Sequence, residues 1–414
     1  MIFVDGLPFP IDSSDERGAL VTLLEHPKLV SASNSFEAMQ EVKVSASKEY
    51  ALQGRWVYVF QREFATVNPA HIDIFLFPSL HVKFIGTDEA TTCVGLVIRN
   101  QRNGMTSVAH MDSTKVVDTG LTQMLSLVVD KNFDDDLDVH LIGGFEDVLP
   151  KQANGSTRSK TQAKGDGYSF PLCTEIIETL RKRKEKFHIQ TLFVLRQNTK
   201  RDSQGNAYPV FNGFLVKTST GSVIPASFDR TTRCPDELVR RIRISASYED
   251  PAWNGKLLET YDTQNDRFVI APCSWTLWQV HVALTLQDLS DEEILLQCST
   301  SPSAEGPEFV DNLRRRACFK MPSHFKQNLA DYLQYAMFIS RQISVDTNDK
   351  CRLKDFPLFR QWDYLIKQPL WNLTFPARHP RVFEWTADGS WKRCLFSPQD
   401  PWNEDGAQTS FQMT

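Results

Sequence analysis

The chain has 414 residues, of which 41% are hydrophobic and 23% are charged, and its formal net charge is -5. These proportions are typical of a globular protein that is long enough to bury a substantial core. The slight acidic balance argues against a broad nucleic-acid-binding surface, and no apolar run reaches the length of a membrane span.

The eight cysteines lie far apart and form no CxxC pair. They do not cluster with histidines at the spacing of metal ligands, so we expect neither a disulfide framework nor a metal site. The first residues lack the basic and apolar segments of a secretory signal. Free cysteines without such a signal indicate a reducing compartment, and we predict a cytoplasmic protein with the nucleus as a second location.

The first part of the chain alternates helical and extended patterns. Leucines at helical spacing predict a helix over 13–27, capped by Ser13 or Ser14. The polar segment 31–48 is predicted as a loop that could contain a helical turn. The apolar and aromatic run 55–65 predicts one strand.

Residues 84–112 are the most informative segment, because two apolar runs flank a polar turn there. That pattern predicts a β-hairpin. If the turn is centred between Gln101 and Arg102, Cys93 lies directly opposite His110. Side chains that oppose each other across an antiparallel pair have Cβ atoms about 4.5 to 5.5 Å apart.

A thiol and an imidazole at that separation can share a proton. The thiolate is the reactive form of cysteine, and a neighbouring imidazolium lowers the pKa of the thiol from about 8.5 to roughly 3.5–7.5. Cys93 and His110 are therefore a candidate nucleophile and base. The alternative is that both are ordinary packing residues on strand faces.

Two segments after the hairpin are predicted to extend its sheet and cover it. Apolar residues at helical spacing predict a helix over 116–129. A strand over 139–142 then runs into Gly143 and Gly144. Two glycines at a strand end indicate a turn or bulge where a backbone can approach a ligand closely.

A later helix, over 235–244, contains several arginines. Its pattern predicts that Leu238, Val239 and Ile242 face inward. It also predicts that the arginines face solvent, namely Arg240, Arg241 and Arg243. Near the C-terminus, the pair Asp388-Gly389 predicts a second hairpin.

The order of the elements predicts an α+β fold, in which helices are layered on a mixed, mostly antiparallel sheet. Nothing in the sequence implies a cofactor. We expect a monomer that binds neither nucleic acid nor membranes.

The run from Gly86 to Cys93, GTDEATTC, resembles the nucleophile segment of the protein N-terminal asparagine amidohydrolases, which deamidate N-terminal asparagine to aspartate. His110 falls where that family has its histidine. A threonine six residues before the cysteine and a histidine seventeen residues after it are also similar, more distantly, to the bacterial chemoreceptor glutamine deamidases.

The resemblance implies a deamidase-like domain over 1–325 and a C-terminal extension over 326–414 that ends in a hairpin packed on the same domain. It implies that Cys93 attacks the amide, that His110 transfers protons and that Thr87 fixes the histidine tautomer. Asp112 is the second candidate for that last role.

The resemblance also places Gly143 and Gly144 beside Cys93, where backbone N–H groups would stabilise an oxyanion. Asp88 or Asp112 would bind the α-ammonium group of the substrate. The implied partners are proteins or peptides with N-terminal asparagine, and the aspartate product would enter the N-degron pathway. Two alternatives stay open: a non-catalytic adaptor that retains the fold, and a deamidase of internal glutamine or asparagine.

Overall fold

The computed structural model describes residues 1–9, 18–45, 55–69, 82–130, 134–147, 167–273, 286, 289–317, 379–386 and 389–394. Two large β-sheets dominate these residues. They face each other, and helices cover the outer side of the larger sheet.

The larger sheet has eight strands. They are β1 (Ile2–Val4), β2 (Leu7–Pro8), β5 (Glu63–Val67), β7 (Val94–Asn100), β8 (Thr106–Met111), β9 (Asp136–Phe145), β10 (Lys186–Leu195) and β15 (Leu258–Glu259). Their order is β15-β5-β8-β7-β9-β10-β1-β2. Strands β5, β8, β7 and β9 are mutually antiparallel neighbours, whereas β10 pairs in parallel with β9 and β1.

The second sheet has five strands in the order β3-β14-β13-β6-β4. They are β3 (Val42–Val44), β4 (Arg55–Tyr58), β6 (Val82–Thr87), β13 (Phe214–Lys217) and β14 (Val223–Phe228). Two small sheets complete the described strands. One pairs β11 (Thr199–Arg201) with β12 (Ala207–Pro209), and the other contains β16 (Tyr261–Asp262), β17 (Arg267–Ile270), β18 (Arg381–Trp385) and β19 (Trp391–Arg393).

Seven α-helices lie in the described part of the chain. They are α1 (Ala19–Glu25), α2 (Pro27–Glu37), α3 (Val117–Val128), α4 (Ser169–Lys182), α5 (Glu237–Ser247), α6 (Asp291–Cys298) and α7 (Phe309–Ala317). Short 3₁₀ turns connect several of them. None of these helices is both long enough and apolar enough to cross a membrane.

Strand periodicity divides the side chains of the central hairpin between two cores. Leu96 and Ile98 pack with apolar residues of α1, α3 and α4 on the outer face of the larger sheet. Val97 and Val108 point the other way and pack with Ile85 and other residues of the second sheet. Because successive strand residues alternate between faces, residues two positions from Val97, Val108 and Ile85 also point into the layer between the sheets.

The predicted α+β class is confirmed, but the sheet arrangement differs from the single sheet we expected. The predicted strand 55–65 is in fact two strands, β4 and β5, which belong to different sheets. The chain turns between them, because the N–H of Glu63 donates to the carbonyl of Phe60 over 3.0 Å and Arg62 adopts a left-handed φ of 63°. This crossing brings the two sheets together.

The helix predicted over 116–129 is confirmed as α3. The helix predicted over 13–27 ends at Glu25, and α2 follows at once where we predicted a loop, because Pro27 occupies the first turn of a new helix. Residues 10–17 lie outside the described residues, as do 318–378 of the C-terminal part. The later hairpin, β18 and β19, adds to β17, while the domain division at 325 stays a prediction.

Candidate active site

The central hairpin forms as predicted, but its register differs from the one we expected. Gly95, not Cys93, lies opposite His110, and Val94 lies opposite Met111. Cys93 therefore comes just before the ladder, two residues from Gly95 along the same chain. It is a diagonal neighbour of His110 and not its direct partner. Residues that are diagonal neighbours across a ladder are about 7–8 Å apart.

The turn of the hairpin explains this shift. The side-chain oxygen of Asn100 accepts hydrogen bonds from the N–H groups of Arg102 at 2.9 Å and Asn103 at 3.3 Å. Gly104 then adopts a left-handed φ of 73°. This geometry centres the turn between Arg102 and Asn103, one residue later than the composition alone indicated.

His110 and Thr87 meet across the two sheets. His110 lies on β8 two residues from Val108, and Thr87 ends β6 two residues from Ile85, so both side chains enter the layer between the sheets. The Thr87 hydroxyl lies 2.8 Å from Nδ1 of His110. Thr87 therefore lies within hydrogen-bond distance of Nδ1, whereas Nδ1 has no hydrogen bond to Asp112 among the described contacts. The role of Thr87 in fixing the tautomer stays a prediction.

The other ring nitrogen of His110 is unpartnered. Only 1% of His110 is exposed, and Nε2 has no hydrogen-bond partner among the described residues, the Cys93 thiol included. Burial lowers the pKa of His110 to about 4, with Glu89 acting in the opposite direction. The imidazole is therefore neutral near pH 7 and has one basic nitrogen available.

Cys93 is partly exposed, unlike His110. The surrounding protein raises the pKa of its thiol, first by removing water and then through the negative charges of Asp112 and Glu305. We expected an imidazolium to lower this pKa. Instead, both the thiol and the imidazole are neutral in this structure, since burial disfavours the charged form of each group.

A glycine lets the two sheets approach each other at this point. A Cβ atom at Gly95 would lie 2.2 Å from a ring carbon of Phe214, a residue of β13. No side chain fits there without displacing that ring. Gly95 opposite His110 thus allows the second sheet, which carries Thr87, to close over the histidine.

Gly143 and Gly144 lie beside Cys93, as the family resemblance implied. They form a bulge inside β9 rather than a turn after it. Ile142 pairs with Phe193 of β10 and Phe145 pairs with Leu195, so β9 has one more residue than β10 between these two pairs. Both have positive φ, 107° and 64°. A Cβ at Gly143 would lie 2.9 Å from the carbonyl oxygen of Cys93, so the close approach of these two backbones depends on glycine.

Asp88 is buried and fully engaged by the protein. Its Oδ1 accepts from the Tyr58 hydroxyl at 2.5 Å, and its Oδ2 accepts from the N–H of Phe228 at 2.7 Å and from Arg233 at 3.2 Å. Burial raises the pKa of Asp88, and Arg233 opposes that effect. Through these contacts, Asp88 connects the segment from Thr87 to Cys93 with β14.

Asp112 has a different environment. Its side chain is 3% exposed, and its Oδ2 accepts from the Tyr248 hydroxyl at 2.6 Å and lies 3.6 Å from Nη1 of Arg62. Its Oδ1 is buried without a hydrogen-bond partner among the described residues. Of the two acids predicted to bind an ammonium group, only Asp112 keeps an available oxygen next to Cys93.

Three residues near the site were missed in the sequence. Tyr248 follows α5, and Glu305 follows the 3₁₀ turn Pro302–Ala304; both interact electrostatically with Cys93. Glu89 binds Arg233 at 2.6 Å and Arg241 at 3.0 Å. Tyr248 and Glu305 are remote from the hairpin in sequence, and so are the two arginines that bind Glu89, so no local spacing indicated these contacts.

The described residues contain no group of three or more His, Cys, Asp or Glu side chains that could hold a metal ion. What the arrangement provides is a thiol, a neutral imidazole with an oriented Nδ1, a glycine bulge and a buried carboxylate. These groups suit acyl transfer through a thioester.

Known proteins of one family are similar to this chain over most of its length. The family described as protein N-terminal asparagine amidohydrolase matches residues 45–338. A protein of that name from Arabidopsis thaliana is 50% identical over 405 residues, 95% of this chain and 100% of the relative. Proteins of the same name from Mus musculus and Homo sapiens are 31% identical over 74% of this chain and 32% identical over 64% of it, covering 86% and 76% of those relatives. Because the similarity extends over most of its length, the chain belongs to the protein N-terminal asparagine amidohydrolase family.

Proposed function

We propose that this protein deamidates N-terminal asparagine of proteins or peptides to aspartate and releases ammonia, with Cys93 as the nucleophile. The observation that carries the proposal is the 2.8 Å contact between Thr87 and Nδ1 of His110. It leaves Nε2 unpartnered on the side of the hairpin that also bears Cys93. The named activity of the relatives supports the choice of substrate.

In the first step, Nε2 of His110 takes the thiol proton and the sulfur of Cys93 then attacks the carboxamide carbon. The C–S bond forms, and the carbonyl π electrons move to oxygen. When the tetrahedral intermediate collapses, the C–N bond breaks and His110 returns its proton to the departing ammonia. A thioester remains on Cys93.

In the second step, water replaces ammonia. His110 takes a proton from water as the water oxygen attacks the thioester carbon, and collapse of the second tetrahedral intermediate restores the thiol. The side chain leaves as a carboxylic acid, which ionises to aspartate. The contact between Thr87 and Nδ1 keeps Nε2 as the basic nitrogen in both steps, provided that Nδ1 carries the proton.

The developing oxyanion needs donors next to the sulfur. We assign this role to the backbone N–H of Cys93 and to the Gly143-Gly144 bulge, and the close approach of the bulge to the Cys93 backbone supports the assignment. Donors that are fixed in the backbone cost no reorganisation during the reaction. This is the role we assign to the two glycines.

Selectivity for a chain terminus requires a partner for the α-ammonium group. We assign that role to Asp112, because its Oδ1 is buried and available whereas both oxygens of Asp88 already have donors. An aspartate produced in this way in the cytoplasm or nucleus would be a substrate for arginylation, and the enzyme would then feed the N-degron pathway.

Ammonia release from a peptide with N-terminal asparagine tests the proposal. We expect turnover by the wild-type protein and by Cys394→Ala, a matched control in the second hairpin, and none by Cys93→Ala. Equal turnover in Cys93→Ala would refute the nucleophile. Absence of turnover in the wild type would favour an adaptor, and activity on an N-acetylated peptide would favour deamidation of internal residues.

A further inference from the structure

The thiol of Cys93 lies among acidic groups. Asp112 follows β8 at the position that would pair with Cys93 if the ladder continued, and Glu305 approaches from the segment before α7. The hydroxyls of Thr92 and Thr300, which lie 2.9 Å apart, connect the Cys93 segment to that of Glu305. Burial is the main cause that raises the pKa of the thiol, and both carboxylates raise it further.

The cations nearby offset this acidity only in part. Arg62 lies 3.6 Å from Asp112 and stacks over the ring of Tyr248 at 4.5 Å. The guanidinium groups of Arg233 and Arg241 hydrogen-bond to Glu89. Among the described residues, Asp112, Glu305 and Tyr248 interact electrostatically with Cys93, and His110 is its diagonal neighbour. Arg62 reaches this set through its contacts with Asp112 and Tyr248.

One carboxylate oxygen among these groups has no hydrogen-bond donor. The Oδ1 of Asp112 is buried and has no hydrogen-bond partner among the described residues, although burying an unpaired carboxylate oxygen is costly. The Oδ2 of the same group already accepts from Tyr248. A cation with N–H donors that bound at Oδ1 would satisfy that oxygen and would lie close to the sulfur.

We propose that the α-ammonium group of the substrate is that cation, and that by neutralising Asp112 and Glu305 it enables Cys93 to lose its proton to His110. Before substrate binds, Cys93 remains a weakly nucleophilic thiol. When the ammonium binds, the S–H bond breaks heterolytically, the proton moves to Nε2 of His110 and the electron pair stays on sulfur. This inference rests on the proposed function and adds to it a reason for the requirement for a free terminus.

The consequence differs from ordinary binding selectivity. A peptide whose amino group is acetylated fails because the nucleophile is not activated, even if the peptide reaches the site. Disulfides and other electrophiles also react slowly with Cys93 while the site is empty, since the thiolate is the reactive form.

Direct titration of the thiol tests the idea. The ultraviolet absorbance of the Cys93 thiolate is measured against pH as the difference between the wild type and Cys93→Ser. Leucinamide is added as an unreactive amine of the size of asparagine, and N-acetyl-leucinamide is the matched neutral probe. We expect leucinamide to increase the thiolate fraction about tenfold at a given pH, and N-acetyl-leucinamide to leave it unchanged.

The variant Asp112→Asn separates this role from a structural one. Loss of the carboxylate should raise the thiolate fraction of the empty protein, and leucinamide should then add little. Asp118→Asn, at a surface acid whose side chain is 79% exposed, should behave as the wild type does. If Asp112→Asn only destabilises the fold, Glu305→Gln should still show a higher resting thiolate fraction.

Equal titration curves with both probes would overturn the inference, as would an unchanged resting thiolate fraction in both Asp112→Asn and Glu305→Gln. Turnover of an asparagine-initiated peptide is measured on the same preparations. If turnover persists while leucinamide has no effect, the inference fails and the proposed function stands. If Cys93→Ser turns over as fast as the wild type, the proposed function fails and this inference fails with it.

Discussion

Two buried polar clusters lie near each other in this protein, and they differ in whether their atoms have partners. Around Glu63, both carboxylate oxygens are bound: Arg240 contacts them at 2.5 and 3.2 Å, and the N–H of Phe60 donates over 3.0 Å. Around Cys93, by contrast, Nε2 of His110 and Oδ1 of Asp112 are both buried and unpartnered among the described residues.

This difference distinguishes polar groups that stabilise the fold from polar groups that belong to the proposed active site. Buried polar atoms are nearly always hydrogen-bonded, and an exception needs an explanation. In the first cluster, complete pairing holds α5 against the turn between the two sheets. In the second, the unpartnered atoms are those that our proposal assigns to proton transfer and to binding of the ammonium group, and functional sites are where such a cost is expected.

The largest expected effect on the reactive cluster comes from the histidine. His110→Gln should lower kcat by about 10²–10⁴-fold, because the thiol loses its proton acceptor. Any loss of stability should be limited to that of the contact between Nδ1 and Thr87, since Nε2 makes no hydrogen bond among the described residues. Steady-state ammonia release and urea titration of the same sample measure both quantities. A stability loss as large as the loss of activity would contradict the contrast drawn above.

The paired cluster should respond in the opposite way. Glu63→Gln leaves Arg240 without a countercharge in a fully buried place, so the free energy of unfolding should fall by about 3–5 kcal/mol. The folded fraction should keep its kcat. Glu178→Gln, in a partly exposed ion pair with Arg181, should change the unfolding free energy by less than about 1 kcal/mol. Urea titration of the wild type and of both variants measures the free energy of unfolding. Equal losses of that free energy in the two variants would refute the distinction between the buried and the exposed ion pair.

A smaller effect on the reaction is expected at Thr87. Thr87→Val removes the hydroxyl next to Nδ1 while keeping the shape of the side chain, and the imidazole can then turn. Loss of that orientation should lower kcat by about tenfold to a hundredfold with little change in KM. Thr87→Ser keeps the hydroxyl and should retain most of the activity. If valine and serine variants were equally active, Thr87 would have no positioning role.

The pH dependence is the most subtle prediction. Because burial lowers the pKa of His110 to about 4, kcat/KM should stay high down to about that pH and fall below it, where the imidazole becomes protonated. On the alkaline side it should fall near pH 8, since the free α-amino group of a peptide loses its proton at about pH 7.7–8.0. An acid limb near pH 6.5 would show that His110 titrates as an exposed histidine.

Much of this site could be predicted because it depends on a local pattern. The hairpin, the glycine pair and the segment from Thr87 to Cys93 are continuous in sequence, and a turn between two apolar runs is a strong signal. The register was wrong by one residue in the turn, because the side-chain hydrogen bonds of Asn100 decide the turn geometry and periodicity does not report them. The result is that Cys93 is a diagonal neighbour of His110 and not its direct partner.

Other features depend on contacts between distant residues, and no local pattern reports those. Arg240, Arg241 and Arg243 were predicted to face solvent, yet all three are buried. Their burial is possible because Glu63 and Glu89, from far earlier in the chain, supply the countercharges, and Arg243 donates to the carbonyl of Glu259. The same limit applies to Tyr248 and Glu305, which reach Cys93 only through the folded arrangement.

The central claim is that Cys93 forms a covalent thioester with the side chain of an N-terminal asparagine. Rapid quenching of the protein with an asparagine-initiated peptide, followed by mass spectrometry, tests it most directly. The account predicts an adduct on Cys93 with the mass of the peptide minus ammonia, which is absent in Cys93→Ala and disappears as aspartate peptide accumulates. Accumulation of aspartate peptide by Cys93→Ala at the wild-type rate, with no adduct on Cys93 in the wild type, would contradict it.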